Sequence, residues 1–247
     1  MLVAMADPTG RADDPPVVIR MLLPVVLALV AGYVDAIGFV WLFGVFSANQ
    51  SGNVVLLGIA LGGQLGNLGW PAAVSLLGFM AGAVAGTMLA VRLPGRPHGR
   101  VLVAIEVGLL VVMLATAGPL DLLPHPVPGV RGTVLLLLAS VAMGVQTMAL
   151  RRAAGVAVTT TYQSGATAHV AEWATRWLLL RTDRHQAART TAVVAVVIGA
   201  YIAGAAAGSW IGDRWRWALV VPCLVMAAVL VAWSADAEVL ADADAAD

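Results

Sequence analysis

Six long apolar segments run through this chain and limit what it can fold into. Each is close to the ~20 helical residues that cross ~30 Å of hydrocarbon. Hydrophobic residues make up 60% of the 247 and charged residues only 11%, whereas a soluble domain carries about 25% charged residues. The sequence therefore predicts an all-α polytopic membrane protein whose partner is the lipid bilayer. The predicted spans are 22–46, 71–91, 101–122, 132–150, 190–212 and 216–234.

The two ends of the chain are polar. Residues 1–20 carry acidic residues and prolines, and residues 235–247 alternate mainly between Ala and Asp. A secretory signal needs a basic start and a short apolar core. Here acidic residues precede a long apolar span, so the sequence predicts an uncleaved first transmembrane helix. We expect a disordered N-terminus (1–20), a single membrane domain (21–234) and a disordered acidic tail (235–247).

Two polar runs interrupt the apolar pattern. Residues 47–53 read SANQSGN, and residues 159–165 read TTTYQSG. Each leads into a semi-apolar segment, 53–65 and 165–180, and thirteen helical residues rise only about 20 Å, less than the hydrocarbon thickness. The sequence predicts that these segments are broken or re-entrant helices, with short tilted spans as the alternative.

The two halves of the chain contain matching segments. The Gln-Ser-Gly triplet at 50–52 recurs at 163–165, and residues 79–86 resemble residues 201–208. Three full spans per unit is an odd number, so the second unit must be inverted. Inverted repeats with interrupted helices are typical of transporters with a midplane site; an old duplication with a purely structural role is the alternative. The predicted units are repeat A, 21–122, and repeat B, 131–234.

The basic residues predict an orientation. All fourteen are arginines. With six spans and a cytoplasmic N-terminus, eleven of them lie inside, and Arg131, Arg214 and Arg216 lie outside. Eight spans would divide them equally, so the positive-inside rule favours six spans with both termini in the cytoplasm of a bacterial inner membrane. The arginines lie in loops rather than on one face, which argues against nucleic-acid binding.

Asp35 is the most informative single residue, because an ionised carboxylate near the middle of a span is expensive. Its helix face is small, with Ala31, Gly32 and Gly38 as neighbours, so we expect it to pack against another helix. Gln146 is the matching residue of the second unit. We expect both side chains to face a shared interior, where Asp35 binds a cation or a proton; a structural Asp that fixes helix packing is the alternative.

The polar runs supply the remaining candidates. Ser51 or Asn53, and Ser164 or Thr167, are suitable N-caps for the short helices. A helix that begins inside the bilayer directs free N–H groups at the interior, which favours an anionic ligand, and the carbonyl groups before it could coordinate a cation. The candidate binding residues are Asp35, Asn49, Gln50, Ser51, Gly52, Asn53, Gln146, Thr160, Thr161, Gln163, Ser164 and Gly165.

Known catalytic patterns are absent from the sequence. It contains no nucleotide-binding glycine loop, no His-Glu-x-x-His and no serine elbow. We therefore expect no catalytic residues, no cofactor, no metal site and no enzymatic activity. Glu106 lies close to the predicted start of the third span, so we expect its carboxylate to reach the membrane surface.

Residues 32–38 (GYVDAIG) and 46–53 (FSANQSGN) resemble the YoaK-like family of bacterial integral membrane proteins. In that family a Gly-x-x-Asp-Ala segment leads to a Thr-Gly-Asn signature, and a later Gly-x-Gln segment leads to a Thr-rich Thr-Gly signature. Here Ser51 and Ser164 stand where the family has Thr, so the hydroxyl is kept. The family has no assigned function, so the resemblance implies membership and membrane location rather than an activity.

These observations lead to one functional hypothesis and its alternatives. The first is a transporter or permease for a small solute or ion, with its site at the repeat interface near the bilayer midplane. A non-transporting structural or partner membrane protein is the alternative from another class, and a channel is a third. The sequence leaves a homo-oligomer open.

Overall fold

In the computed structural model, seven α-helices have described bounds, and five of them surround the other two, which are central. It describes residues 17–92, 98–119, 127, 129–153, 167–168, 170–172, 175 and 184–244. Within these ranges the chain contains no β-strand. The helices are α1 (Val17–Ile37, continued by a π-helix at Gly38–Phe43), α2 (Gln50–Leu61), α3 (Gly66–Arg92), α4 (His98–Ala117), α5 (Gly129–Ala153), α6 (Arg184–Arg214) and α7 (Val220–Asp244).

Five of these helices, α1, α3, α4, α5 and α6, are long and apolar enough to cross a membrane. They coincide with the first five predicted spans. The sixth predicted span falls on α7, whose described apolar part, Val220–Ala232, is shorter. The prediction of an all-α protein with several membrane-spanning helices is confirmed.

Two helix bounds differ from the sequence prediction. Helix α1 begins at Val17, before the predicted start of the membrane domain at residue 21. Helix α7 continues to Asp244, through most of the tail predicted to be disordered. Alanine has the highest helix propensity of all residues, and this tail is rich in alanine, which explains why the helix continues.

Helices α1 and α6 pack so closely that their backbones touch. A Cβ atom on Gly204 would collide with the carbonyl group of Leu29, and one on Gly32 would collide with that of Tyr201. Further along, Gly208 lies against Tyr33. Residue numbers rise together along both helices, so α1 and α6 are parallel. Small residues allow this approach, which is the usual basis of helix association in membranes.

Helices α3 and α5 form a second parallel pair of the same kind. Gly82 lies against the carbonyl group of Val141, Gly144 against that of Phe79, and Gly86 against Met148. This pair runs in the opposite direction to α1 and α6, because α5 is antiparallel to α1: the Gln146 side chain bonds the Leu27 carbonyl, while Gly132 lies beside Phe43.

Helix α4 is antiparallel to α5. Near the end of α4, Arg131 of α5 donates hydrogen bonds to the carbonyl oxygens of Thr116, at 3.1 Å, and Ala117, at 2.8 Å. At the other end, Leu102 of α4 and Met148 of α5 both lie beside Gly86. A cation at a helix C-terminus satisfies carbonyl groups that have no partner within the helix.

Burial distinguishes the central helices from the peripheral ones. In the apolar windows of α1 and α5, 72% and 67% of the residues are buried, against 33% in α3 and α4 and 22% in α6. The exposed side chains of the peripheral helices are large and apolar, for example Met80, Val196 and Ile202. The surface that they form suits lipid. The enclosed interior of the bundle lies around α1 and α5.

The close contact of α1 with α6 predicts a difference between two glycines of α6. Gly204→Ala forces a Cβ atom into the Leu29 carbonyl group, and overpacking of this kind costs about 1–3 kcal/mol. Gly199→Ala is the matched control, because nothing lies within 4 Å of its Cβ position and alanine favours the helix by about 0.4–1 kcal/mol. Thermal unfolding in one detergent should show a lower midpoint for Gly204→Ala alone; equal midpoints would contradict the packing described.

Candidate functional site at the first polar break

The first polar break begins where α1 loses its regular helical form. The π-helix at Gly38–Phe43 ends at Gly44, whose φ of 71° is left-handed and therefore favours glycine. Residues 45–49 are not helical, and α2 begins at Gln50. π-Helical turns are rare and often lie at functional sites.

The break lies deep in the helical bundle. Its contact on α3 is Ser75, which is buried and lies nine residues, or about 14 Å, from the first residue of α3. This is about half of the ~30 Å hydrocarbon thickness. Helix α2 then runs beside α3 in the opposite direction, since Asn53 bonds Ser75 and Ala60 packs against Gly69. Because α3 is antiparallel to α1, α2 keeps the direction of α1 beyond the break. With 12 residues, α2 is about 18 Å long, and it leads to the side of the bundle where α3 begins.

The carboxylate of Asp35 holds the break in place. Its Oδ1 accepts hydrogen bonds from the backbone N–H groups of Ser47, at 2.7 Å, and Ala48, at 2.6 Å. Its Oδ2 accepts one from the N–H group of Asn49, at 3.0 Å, and another from the hydroxyl group of Tyr201 on α6. Successive N–H groups that converge in this way form an anion-binding nest. We call these five residues the latch.

In the latch, the anion that accepts hydrogen bonds from the free N–H groups is a side chain of the protein, the Asp35 carboxylate. The sequence predicts that the free N–H groups at the start of the short helix face an anionic ligand. In the structure the converging N–H groups belong to the three residues before α2, and Asp35 accepts all three. The Asp35 side chain is only 2% exposed, and a buried charge is tolerated when it is paired and hydrogen-bonded. Asp35 therefore joins three parts of the fold: α1, the break and α6.

Asn53 makes a second set of contacts with the break. Its Oδ1 accepts a hydrogen bond from the N–H group of Phe46 at 2.9 Å, and its Nδ2 donates to the Phe46 carbonyl oxygen at 2.6 Å. The predicted capping roles of Ser51 and Asn53 are wrong. The N-cap of α2 is Asn49, without a side-chain capping bond, because the Asn53 side chain pairs with the backbone of Phe46 instead.

A small polar cluster connects the break to α3 and α5. The hydroxyl group of Ser75 contacts the Phe46 carbonyl oxygen at 2.5 Å and the hydroxyl group of Ser140 at 2.9 Å. Gln50 donates from its Nε2 to the carbonyl oxygen of Ser47 at 2.8 Å and to Ser75 at 3.2 Å, and its Oε1 accepts a bond from Asn53 at 3.0 Å. Gln50 and Asn53, both predicted site residues, therefore lie in one cluster.

Two predicted residues of the break have other surroundings. Gly52 allows the ring of Phe46 to pack on α2, since a Cβ atom would lie 2.8 Å from a ring carbon, and that ring stacks on Phe39 with centroids 5.1 Å apart. Ser51 is exposed and donates a hydrogen bond to the Asn49 side chain at 2.8 Å. It lies outside the buried cluster.

Gln146 does not join Asp35. Its Nε2 donates to the carbonyl oxygen of Leu27 at 2.9 Å, and Leu27 lies eight residues, or about 12 Å, along α1 from Asp35. The Oε1 atom of Gln146 is buried and has no hydrogen-bond partner among the described residues. The two side chains that the sequence predicts to share one interior therefore lie at different depths.

Three residues of the site were not predicted from the sequence: Ser75, Ser140 and Tyr201. The signal for Tyr201 was present, because it matches Phe79 in the repeat and differs from it by the hydroxyl group that bonds Asp35. The prediction for Glu106 is wrong. Its side chain is 0% exposed because it lies eight residues, or about 12 Å, inside α4, on a face covered by other helices.

The second polar run cannot be compared in the same way. Its predicted site residues Thr160, Thr161, Gln163, Ser164 and Gly165 lie outside the described residues. Among the residues that are described, no three His, Cys, Asp or Glu side chains group together in a way that could hold a metal ion.

Comparison with known proteins identifies the family. A family model described as "Protein of unknown function (DUF1275)" matches residues 23–232. The chain belongs to the DUF1275 family. It is also 28% identical, over 182 residues, to the UPF0700 transmembrane protein YoaK of Bacillus subtilis (strain 168), covering 72% of this chain and 78% of that relative. No solved structure matches. The predicted resemblance to the YoaK-like family is confirmed.

The latch of this DUF1275 protein predicts an order of stability among three variants. Asp35→Asn turns an acceptor into a donor that faces backbone N–H groups, and breaking a buried charged contact costs about 3–5 kcal/mol. Tyr201→Phe removes one hydrogen bond to a charged group, worth about 1.5–3 kcal/mol. Ser51→Ala is the exposed control and should change the free energy of unfolding by less than about 0.5 kcal/mol.

Thermal unfolding in one detergent, combined with hydrogen exchange at the amides of residues 47–49, measures these effects. Both latch variants should expose those amides to exchange. Protection equal to that of Ser51→Ala would show that Asp35 does not hold the break.

Proposed function

We propose that this protein is a transporter or permease for a small solute or ion, without enzymatic activity, with its site at the interface of two inverted units near mid-depth. One observation carries the proposal. The non-helical break of the first unit is held by Asp35, and Asp35 is held in turn by Tyr201 of the second unit. The hydrogen bonds of the latch thus cross the boundary between the two proposed units.

The latch offers two kinds of ligand chemistry. Non-helical backbone at membrane depth is tolerated where protein covers it or where it lines a cavity. If Asp35 moves away, the N–H groups of Ser47, Ala48 and Asn49 become donors for an anionic or hydrogen-bond-accepting group on a solute. A released Asp35 carboxylate becomes a ligand for a cation. Both fit the exchange of one closed arrangement for another during transport.

The helix contacts support the inverted duplication. Gly204 packs on Leu29 as Gly82 packs on Val141. The glycines are 122 residues apart and their partners 112 apart, so both contacts follow the repeat. The two parallel helix pairs run in opposite directions, which is the arrangement that an inverted repeat predicts. Transporters built in this way move one unit against the other around a fixed site.

A cavity lies near the end of α6, between two elements that also border the latch. Its volume is about 400 Å³, and it lies between the π-helix and α6, the elements on either side of the latch. Ser209 in its wall is eight residues, or about 12 Å, along α6 from Tyr201. The cavity is lined by Val40, Trp41, Ala206, Ser209, Trp210, Asp213 and Arg214.

We also propose a bacterial inner-membrane location with both termini in the cytoplasm. The parallel helices α3 and α5 end at the same side of the bundle, at Arg92 and at Arg151 and Arg152, whereas Arg131 and Arg214 lie at the opposite side. This division supports the positive-inside assignment.

Reporter fusions check the orientation. Fluorescent-protein fusions at His98 and Thr182 should be bright, since these positions lie in proposed cytoplasmic loops. An alkaline phosphatase fusion at Pro126 should be active, since that loop is proposed to be periplasmic. A phosphatase signal at His98 or Thr182 would contradict the six-span arrangement.

A structural or partner role is the second candidate, and one observation favours it. All four polar atoms of Asp35 and Asn53 have hydrogen-bond partners within the chain. Satisfied networks of this kind can fix helix packing without binding any ligand. In that case the latch would be permanent.

Uptake into proteoliposomes separates the two candidates. The panel consists of radiolabelled amino acids, organic acids, sugars and monovalent ions, with empty liposomes as the blank. Tyr201→Phe should reduce uptake of the transported compound about tenfold or more, because the lost hydrogen bond to a charged group is worth about 1.5–3 kcal/mol. Val231→Ala is the control, because Val231 lies on α7 and is 67% exposed. Full uptake by Tyr201→Phe would exclude the latch from transport, and no uptake of any compound by stable protein favours the structural candidate.

A further inference from the structure

Glu106 is a buried carboxyl group that the latch does not use. It lies in α4, its side chain is 0% exposed, and neither of its carboxyl oxygens has a hydrogen-bond partner in the part of the chain that the structure describes. Buried polar groups in proteins are nearly always hydrogen-bonded, so an exception of this kind calls for an explanation. Ionisable groups inside membrane segments often mark ion or proton pathways.

A second polar atom without a partner lies at nearly the same depth. Leu102 and Met148 lie side by side at Gly86, and α4 and α5 are antiparallel. Glu106 is four residues beyond Leu102, or about 6 Å, and Gln146 is two residues before Met148, or about 3 Å. Both displacements point the same way, so the Glu106 carboxyl group and the unpartnered Oε1 of Gln146 differ in depth by about 3 Å.

The described neighbours of Glu106 along α4 are apolar. One helical turn away on α4 are Leu102, Val103 and Leu110, all of them buried, and the buried face of α5 includes Ala142 and Met143. An ionised carboxylate in such surroundings has neither water nor donors to stabilise it, so the neutral acid is favoured.

No described charge lies close enough to change this. On α5, Arg151 and Arg152 are displaced from the level of Glu106 by about 10 Å or more, and Arg131 lies at the far end of that helix. Arg92 ends α3 six residues beyond Gly86, whereas Glu106 lies four residues beyond Leu102 in the opposite direction, so the two differ in depth by about 15 Å. The titratable side chain described on α7 is Cys223, a buried free thiol, which is neutral.

The geometry points to Glu106 as a proton-binding site of the transport cycle, with the Oε1 atom of Gln146 as the acceptor for its proton. The inference rests on the proposed transport function. One carboxyl group and one amide oxygen cannot surround a metal cation, because hard cations such as Ca²⁺ need six or more oxygen ligands. A proton needs only one acceptor.

The proton transfer is simple to balance. The carboxylate takes one proton from a hydronium ion on one side of the membrane, which leaves water, and becomes the neutral acid, which is stable in the packed state. When helix movement brings water to Glu106, the acid returns that proton to the other side. No other bond forms or breaks.

Asp35 supplies a matched contrast within the same chain. Both carboxyl groups are buried, but Asp35 accepts three backbone N–H bonds and one hydroxyl bond, whereas Glu106 accepts none from the described residues. Hydrogen bonds donated to a carboxylate favour its ionised form, and apolar burial favours the neutral acid. At neutral pH the two groups should therefore hold opposite protonation states.

Carbodiimide labelling tests the difference directly. Dicyclohexylcarbodiimide enters membranes and adds to a protonated carboxyl group, and the resulting O-acylisourea rearranges to a stable N-acylurea. Peptide mass spectrometry of the full-length protein in liposomes should find the adduct on Glu106 and not on Asp35, with labelling that decreases toward alkaline pH. Glu106→Gln is the blank for this position. Absence of an adduct on Glu106 at every pH, or equal labelling of Asp35, would overturn the inference.

Two variants test the protonation of Glu106 and the role of Gln146 separately. Glu106→Gln copies the neutral acid, so its thermal unfolding midpoint should equal or exceed that of the wild type; a large loss of stability would show that the carboxylate form is needed. Gln146→Leu removes the proton acceptor, so the midpoint of labelling should move to lower pH. An unchanged midpoint would remove Gln146 from the site.

Flux measurements separate this inference from the proposed function. In proteoliposomes with an imposed pH gradient, Glu106→Gln should reduce gradient-driven uptake to the level of empty liposomes. Uptake by Glu106→Gln that still follows the pH gradient would overturn the coupling role. If the wild type transports no compound of the panel, the proposed function fails and the coupling role fails with it, while the labelling result still decides whether Glu106 holds a proton.

Discussion

The structure depends on one carboxylate, which accepts the backbone hydrogen bonds that helical carbonyl groups would otherwise accept where α1 is interrupted. Where the helical form of α1 ends, the backbone N–H groups of Ser47, Ala48 and Asn49 have no helical partner, and lipid cannot supply one. Asp35 accepts all three. The same group accepts the Tyr201 hydroxyl bond, so the stabilisation of a local break also fixes the position of α6. A negative charge becomes acceptable at this depth only because four donors converge on it.

The two buried carboxyl groups divide the bundle into different chemical regions. Around Asp35 the chain is rich in donors and acceptors, which include the cluster of Gln50, Asn53, Ser75 and Ser140. Around Glu106 the described neighbours along α4 are apolar. A membrane protein that binds a polar ligand in one place and a proton in another needs this separation, since donors that favour an ionised group would prevent a neighbouring acid from retaining its proton.

The apolar pattern was enough to predict the all-helical membrane architecture, the first break and the importance of Asp35. The contacts of Asp35 could not be predicted, because they depend on the path of residues 44–49 and on Tyr201, which is 166 residues away. The burial of Glu106 was missed for a related reason. All faces of α4 are apolar, so its sequence does not indicate which face contacts lipid and which contacts α5. Gln146 was placed with Asp35 because the repeat aligns the two residues, but alignment in a repeat fixes equivalence and not proximity.

The pairing of α1 with α6 also bears on how the chain reaches its final form. Helix α1 is the most enclosed of the five candidate spans, with 72% of its window buried. Its backbone touches that of α6, which is synthesised late because it lies near the C-terminal end of the chain. Until α6 enters the membrane, Gly32 faces no partner helix and Asp35 lacks the hydroxyl group of Tyr201. The N-terminal half therefore cannot complete its own interior. Assembly must wait for the second half, and a chain that is cut short before α6 leaves the Gly32 face of α1 uncovered and Asp35 without the hydroxyl group of Tyr201.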